Sequence, residues 1–194
     1  MSLSLVAGLG NPGRDYEASR HNLGWVVLDA LAKKHGLTWK HAPQFNAEIA
    51  RWDLGAGRTR WLVKPLTFMN ESGRAISAVA RFYKIDPLAI AAVFDDLNID
   101  LGLIKVSVTG SAGGHNGVAS LLEHVGEGFA RYRLGIGPKE PAQIDMADFV
   151  LGKFTPTQHL LITQKLDSFV SGLELLLSRG TEPAMNQLNR REPK

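Results

Sequence analysis

The alternation of hydrophobic and polar positions along the chain predicts short strands interleaved with helices. Apolar or alternating runs bounded by Gly, Pro or Asp are typical of strands. The segment "GAGR" lies between two such runs and predicts a hairpin. We predict strands at residues 3–7, 45–54, 59–64, 88–94, 103–108 and 132–137.

Apolar residues at helical spacing predict five helices between these strands. The first follows a cap at Asn22 and ends near His35, before a glycine. The second follows a cap at Asn70 and is broken by Asp86-Pro87. The others cover residues 117–125, 155–180 and 182–190. Strands that alternate with helices predict an α/β fold, and the hairpin makes its central sheet mixed. We therefore expect a single domain over residues 1–194, with helices flanking the sheet.

Composition narrows the class of protein. The 194 residues include no cysteine, which excludes disulfides and thiolate chemistry and fits a reducing compartment. The first residues, MSLSLVAGLG, have no basic segment typical of a signal peptide, and no apolar stretch has membrane-spanning length. We expect a cytoplasmic protein that does not bind membranes. The formal net charge of +3 is compatible with a nucleic-acid partner without requiring one.

A glycine motif near the amino terminus raises the possibility of dinucleotide binding. Gly8, Gly10 and Gly13 form a literal G-x-G-x-x-G. A dinucleotide fold needs this loop to lead directly into a helix, with an acidic residue about 20 positions on at a strand end. Here nine residues intervene before the helix, and Asp29 lies inside it. A nucleotide-dependent oxidoreductase is therefore disfavoured, and the Asn-Pro-Gly turn instead presents Asn11.

Polar residues follow several predicted strands, at the edge where ligands bind in α/β sheets. These are Asn11, His21, Asn70, Asp95 and Asn116. Each alone has a structural explanation: a turn for Asn11, a helix cap for Asn70, a left-handed turn for Asn116, and packing for His21. We expect the nearby Asp96 and Asp100 to be solvated. The coincidence of five polar residues on one edge favours a functional site.

The residue types present limit the chemistry of this site. No G-x-S-x-G elbow and no H-E-x-x-H spacing is found, so a serine nucleophile of that kind and a metal site are not predicted. A neutral imidazole can take a proton from water, a carboxylate can orient that imidazole, and carboxamides can polarise a carbonyl. This set suits attack of water on an activated acyl group such as an ester.

The motifs in their order are similar to those of one family. The segments are VAGLGNPGRDYEASRHNLGW, TFMNESG, FDDLNIDLG, GGHNG, RYRLGIG and FVLGKF, all within residues 6–154. The chain resembles bacterial-type peptidyl-tRNA hydrolase, and EPAMNQLN is similar to the end of that family. The resemblance implies a monomeric esterase without metal or cofactor. Its substrate would be peptidyl-tRNA, cleaved at the ester that joins the peptide to the 3′ end of tRNA.

The resemblance also implies roles for individual residues. His21 corresponds to the catalytic base and Asp95 to its carboxylate partner. Substrate-binding positions correspond to Asn11, Tyr16, Met69, Asn70, His115 and Asn116. Lys105 and Arg133 correspond to residues that contact tRNA. A non-catalytic RNA-binding relative of the same fold is the alternative, and the intact His21, Asp95 and three asparagines argue against it.

The chain departs from the family pattern at several positions around these motifs. Phe94 stands where a histidine is common, and Ser107 stands where a lysine is often found. The segment "TGSA" is less rich in glycine than usual, and the loop after residue 137 lacks the usual basic pattern. These departures concern the contacts with tRNA rather than the chemistry, because phosphate contacts supply much of nucleic-acid affinity.

Overall fold

The computed structural model describes residues 2–190 and contains one seven-stranded sheet. Its strands are β1 (Leu5–Gly8), β2 (Lys40–Ala42), β3 (Ala47–Asp53), β4 (Thr59–Pro65), β5 (Ile90–Asp100), β6 (Ile104–Ser107) and β7 (Ala130–Gly137). The strand order is β2-β3-β4-β1-β5-β7-β6. The four central strands β4, β1, β5 and β7 are parallel, whereas β2, β3 and β6 pair antiparallel at the two sides.

Six helices connect and cover the strands. They are α1 (Leu23–Lys34), α2 (Ser72–Phe82), α3 (Asn116–His124), α4 (Met146–Leu151), α5 (Pro156–Arg179) and α6 (Thr181–Leu188). In the described part of the chain, none is both long enough and apolar enough to cross a bilayer. The predicted α/β fold with a mixed sheet between helices is confirmed.

Two hydrophobic cores lie on opposite faces of the sheet. Because successive strand residues point to opposite faces, Val6 faces the core formed with α1, α5 and α6, while Leu5 and Ala7 face the core formed with α2 and α3. The same alternation divides β5, where Val93 belongs to the first core and Phe94 to the second. Burial on both faces explains why the central strands have nearly continuous apolar sequences.

Three parts of the chain differ from the sequence-based expectations. Strand β5 does not end at residue 94 but continues to Asp100, because its carboxyl half stays paired with β7 as far as Gly137. The short edge strand β2 and helix α4 were not predicted. Helix α4 is only six residues long, and the Asp145 side chain that caps it lies in a segment that reads as a polar loop. The hairpin of β3 and β4 is confirmed.

Candidate active site

A cleft of about 480 Å³ opens at the carboxyl ends of β1, β4 and β5. All five polar residues expected at this edge line it. The lining includes Asn11, Tyr16, His21, Met69, Asn70, Asp95, His115 and Asn116. Residues of α4 and of the second half of β5 complete the wall. All eight residues predicted from the sequence for catalysis or substrate binding therefore share one cavity, and their roles stay predictions.

A buried histidine and a buried carboxylate are in direct contact in this cleft. His21 lies in a single 3-10 turn, Arg20–Asn22, immediately before α1. Asp95 lies in β5 and is 2% exposed. The Nδ1 of His21 is 2.8 Å from Oδ1 and 3.0 Å from Oδ2 of Asp95. The fold thus joins two side chains that are 74 positions apart in the sequence.

The electrostatics of this pair determine where the protons lie. Burial alone would raise the pKa of Asp95, but its contacts with His21 and His115 outweigh burial and hold the pKa well below its usual range. An ionised carboxylate only accepts hydrogen bonds, so the Nδ1 that faces it carries the proton. The Nε2 of His21 is then unprotonated in the neutral ring and available to accept a proton.

A second histidine contacts the same carboxylate. His115 is the N-cap residue of α3, where its Nδ1 accepts hydrogen bonds from the backbone N–H groups of Gly117 and Val118. Its Nε2 is 3.2 Å from Oδ1 of Asp95. The sequence places His115 only beside Asn116, so this contact with Asp95 is a new feature that the structure adds.

Asn11 is fixed by hydrogen bonds on three of its atoms. Its backbone N–H donates to Oδ1 of Asn22 over 2.8 Å, and its carbonyl accepts from Nδ2 of Asn22 over 2.9 Å. Its own side-chain Oδ1 accepts from the backbone N–H of Met69 over 2.7 Å. The Nδ2 group has no such partner within residues 2–190, so Asn11 offers a hydrogen-bond donor to the cleft.

Several expectations for asparagines are corrected by these contacts. Asn22 occupies the N-cap position of α1 but makes no side-chain cap bond, because both polar atoms of its amide bind Asn11. Asn70 does not cap α2, which begins at Ser72, and it is exposed in the turn Met69–Glu71. Asn116 is not in a left-handed turn but is the first residue of α3. Both Asn70 and Asn116 line the cleft, and within residues 2–190 neither side chain has a hydrogen-bond partner.

The mouth of the cleft carries aromatic and apolar groups. Half-buried Tyr16 meets the ring of Phe68 edge-on, with centroids 6.3 Å apart, and Phe68 is 59% exposed. Helix α4 adds Met146 and Leu151 to the cleft lining, both of them partly exposed. The sequence analysis missed this contribution of α4 to the cleft, since so short a helix has no clear periodicity.

The two basic residues expected to contact tRNA lie outside the cleft lining. Lys105 and Arg133 are directly opposite each other on β6 and β7. Arg133 donates from Nε and Nη2 to Oδ2 of Asp96, both over 2.8 Å. Asp96 is therefore not solvated as expected, and its side chain is only 12% exposed. Lys105 is exposed on the same pair of strands.

His21, Asp95 and His115 are also the residues to test for a metal site. Their ligand atoms lie within 4.8 Å of one another, and the described residues contain no other such group of three. The contacts fit hydrogen bonding, because each imidazole nitrogen that faces the ionised carboxylate has a proton to donate to it. A metal would have to displace both protons. The expectation of a reaction without metal or cofactor stays a prediction.

The fold and the cleft define a class of protein: an α/β protein with a mixed seven-stranded sheet and a histidine–carboxylate pair that faces an amide-lined cleft. The family model for peptidyl-tRNA hydrolase matches residues 5–194. The chain belongs to the peptidyl-tRNA hydrolase family.

Individual relatives agree with this assignment. A peptidyl-tRNA hydrolase from Gloeobacter violaceus is 40% identical over 192 residues, which cover 98% of this chain and 96% of the relative. One from Mycobacterium tuberculosis is 42% identical over 186 residues, covering 95% and 96%. A crystal structure of the Acinetobacter baumannii peptidyl-tRNA hydrolase superposes with a TM-score of 0.86 at 36% identity, covering 99% of this chain and 97% of that one.

Proposed function

We propose that this protein hydrolyses the ester bond between a peptide, or an N-blocked amino acid, and the 3′ end of tRNA. This reaction would recycle tRNA from prematurely released peptidyl-tRNA. The observation that carries the proposal is the buried contact of His21 Nδ1 with Asp95, which leaves Nε2 unprotonated in an amide-rich cleft. Family membership supplies the substrate class.

The protonation states of His21 and Asp95 determine the course of the proposed reaction. The Nε2 of His21 takes a proton from water, and the water oxygen bonds to the ester carbonyl carbon. Asp95 keeps the ring oriented and stabilises the imidazolium that forms. When the tetrahedral intermediate collapses, the bond from carbon to the ribose 3′ oxygen breaks. The imidazolium returns its proton to that oxygen, which yields the free peptide acid and tRNA.

The other residues of the cleft bind the two halves of the substrate in this proposal. Asn11, Asn70 and Met69 position the peptide, and Asn116 holds the attacking water or the oxyanion. His115 adjoins this site, and Tyr16 lies near the tRNA 3′ end. Lys105 and Arg133 contact the tRNA backbone beyond the cleft, where the pair of strands β6 and β7 carries them.

The proposal extends to the whole molecule. Residues 1–194 form one peptidyl-tRNA hydrolase-like domain, since the family match reaches from residue 5 to residue 194. The protein acts as a cytoplasmic monomer. The reaction needs no metal, because the imidazole and carboxylate already provide the base. No membrane partner is involved.

The release of an N-acetyl amino acid from its tRNA tests the proposal. We expect His21→Ala to lower turnover by about 10²- to 10⁴-fold and Asp95→Asn by about 10²-fold, while tRNA binding persists. Asn186→Ala, at an exposed position of α6, is the matched control and should retain full activity. Activity should also survive a chelator.

The outcomes separate the alternatives. Full activity of His21→Ala would contradict the role of the base, and loss of activity with chelator would contradict metal independence. Binding of tRNA by the wild-type protein without any hydrolysis would instead identify the non-catalytic RNA-binding relative.

A further inference from the structure

His115 uses its two ring nitrogens in opposite ways. Its Nδ1 accepts hydrogen bonds from the N–H groups of Gly117 and Val118, at 3.1 and 3.3 Å. An accepting nitrogen carries no proton, so the single proton of the neutral ring lies on Nε2. That nitrogen is 3.2 Å from Oδ1 of Asp95 and donates to it. The amino end of α3 therefore fixes the tautomer of His115.

This arrangement gives Asp95 two imidazole donors. His21 Nδ1 contacts both carboxylate oxygens, and His115 Nε2 also contacts Oδ1. The two rings lie 4.7 Å apart, and the Phe94 ring packs edge-on against His115 at 5.0 Å. The low pKa of Asp95 agrees with two donors on one buried carboxylate. The carboxylate is thus held in one orientation with its negative charge shared.

A second proton on His115 has no acceptor. Protonation at Nδ1 would place an N–H against two backbone N–H groups at the positive end of a helix. This geometry suits His115 to donate a hydrogen bond to Asp95 from Nε2, whereas His21 is the imidazole that accepts a proton in the proposed reaction. The cleft also contains the titratable groups Tyr16, Asp96 and Asp145, of which Asp96 is already paired with Arg133.

We propose that His115 is a positioning residue that acts through Asp95: it fixes the carboxylate and takes up part of its charge, so that His21 stays neutral and able to accept a proton. The proposal rests on the proposed function for its effect on rate, while the tautomer itself can be measured without any substrate. It gives His115 a purpose other than direct contact with the peptide.

The variant His115→Asn separates capping from charge sharing. Asparagine is a good N-cap residue, so it keeps the hydrogen bonds to α3 but does not supply the second donor to Asp95. The full charge of Asp95 then acts on His21 and favours its protonated, inactive form. We expect the acid limb of the pH profile of kcat/KM to move to higher pH by about 0.5 to 1 unit, which lowers kcat/KM on that limb by about three- to tenfold.

Two other results for His115→Asn would overturn the proposal. An unchanged pH profile with full activity means that His115 only caps the helix. A raised KM with an unchanged profile means that it binds substrate directly. His159→Asn, at an exposed position of α5, is the matched control and should leave the profile unchanged.

A second measurement holds even if the variant folds poorly or the substrate class is wrong. In the wild-type protein with ¹⁵N-labelled histidine, NMR should show His115 protonated at Nε2 and His21 protonated at Nδ1. The signals are assigned by comparison with the spectra of His21→Ala and His115→Asn. A proton on Nδ1 of His115 would refute the proposal whatever the outcome of the hydrolysis assay.

Discussion

At the scale of single residues, the site depends on which atoms of each polar side chain are already engaged. Asn11 accepts from Met69 with its Oδ1, and its backbone is bound at both polar atoms by Asn22. Asn22 is 2% exposed, so these bonds are shielded from water. The amide of Asn22 thus acts as a buried brace that sets the orientation of Asn11 toward the cleft.

Replacement of Asn22 tests this brace. Asn22→Ala leaves the buried N–H and C=O of Asn11 without partners, at a cost of about 1–3 kcal/mol for each group. We expect the free energy of unfolding to fall by roughly 2–6 kcal/mol, and activity to fall as Asn11 shifts. Urea denaturation and the hydrolysis assay measure both. Asn186→Ala is the control, and equal stability of the two variants would show that the brace contributes nothing.

The sequence predicts which residues form the site better than it predicts their contacts. His21, Asp95 and the three asparagines were recognisable because each follows a strand or belongs to a specific motif. The hydrogen bonds of Asn22 were not, since an asparagine before a helix is typical of an N-cap. The ion pair of Asp96 with Arg133 joins strands β5 and β7, whose adjacency in the sheet the pattern does not specify.

At the scale of secondary-structure elements, close packing of helices brings the two amide-bearing segments together. Gly73, at the start of α2, lies so close to α3 that a Cβ would overlap the carbonyl group of Ser120 and approach the Leu121 nitrogen to 2.8 Å. The Gly73 N–H donates to Oγ of Ser120 over 2.9 Å. Because Asn70 precedes α2 and Asn116 begins α3, this contact holds the two asparagine-bearing segments close together at the cleft.

A polar cluster joins the end of α1 to α5 and makes stability depend on pH. Glu174 accepts from Lys34 Nζ and His35 Nε2, both over 2.7 Å. Burial alone would raise the pKa of Glu174, but these hydrogen bonds and charges lower it below its usual value. The unfolded chain therefore binds a proton at Glu174 more readily than the folded chain does.

Glu174→Gln should accordingly lose stability at neutral pH and not in acid. The contribution of Glu174 is fully present above its unfolded pKa of about 4.3, and it is lost as the pH falls through the lower folded pKa. We expect the Tm of the wild type to exceed that of the variant at pH 7 and the difference to shrink below about pH 4. Thermal unfolding monitored by circular dichroism measures this, and a constant difference at all pH values would exclude the linkage.

At the scale of the whole molecule, the candidate site lies at one end of the sheet, at the carboxyl ends of its central strands. Helices on both faces bury the central strands, so their carboxyl ends provide the open surface on which the cleft forms. The alternation of strands and helices in the sequence predicts this position of the cleft. Helix α4 and strand β2 did not follow, because segments of six and three residues show too little periodicity for a pattern to emerge.

The basic residues beyond the cleft differ in how much charge they offer to a polyanion. Arg133 is bound through two nitrogens to Asp96, so the pair is close to neutral. Exposed Lys105 has no carboxylate within ion-pair distance in the part of the chain that the structure describes. Since the salt dependence of binding reports the phosphates neutralised, Lys105 should contribute to it more than Arg133 does.

Binding of an N-acetyl-aminoacyl-tRNA to the His21→Ala protein at several salt concentrations tests this difference. We expect Lys105→Ala to reduce the slope of log Kd against log salt by roughly 0.7–0.9, the share of one phosphate contact. The paired substitution Asp96→Asn with Arg133→Gln removes no net charge and should change the slope less, even where it weakens binding. Lys84→Ala is the control, because Lys84 is an exposed lysine near the amino ends of β1 and β4. A larger loss of slope from the paired substitution would show that Arg133 leaves Asp96 to bind phosphate, and that tRNA rearranges the strand pair β6–β7 as it docks.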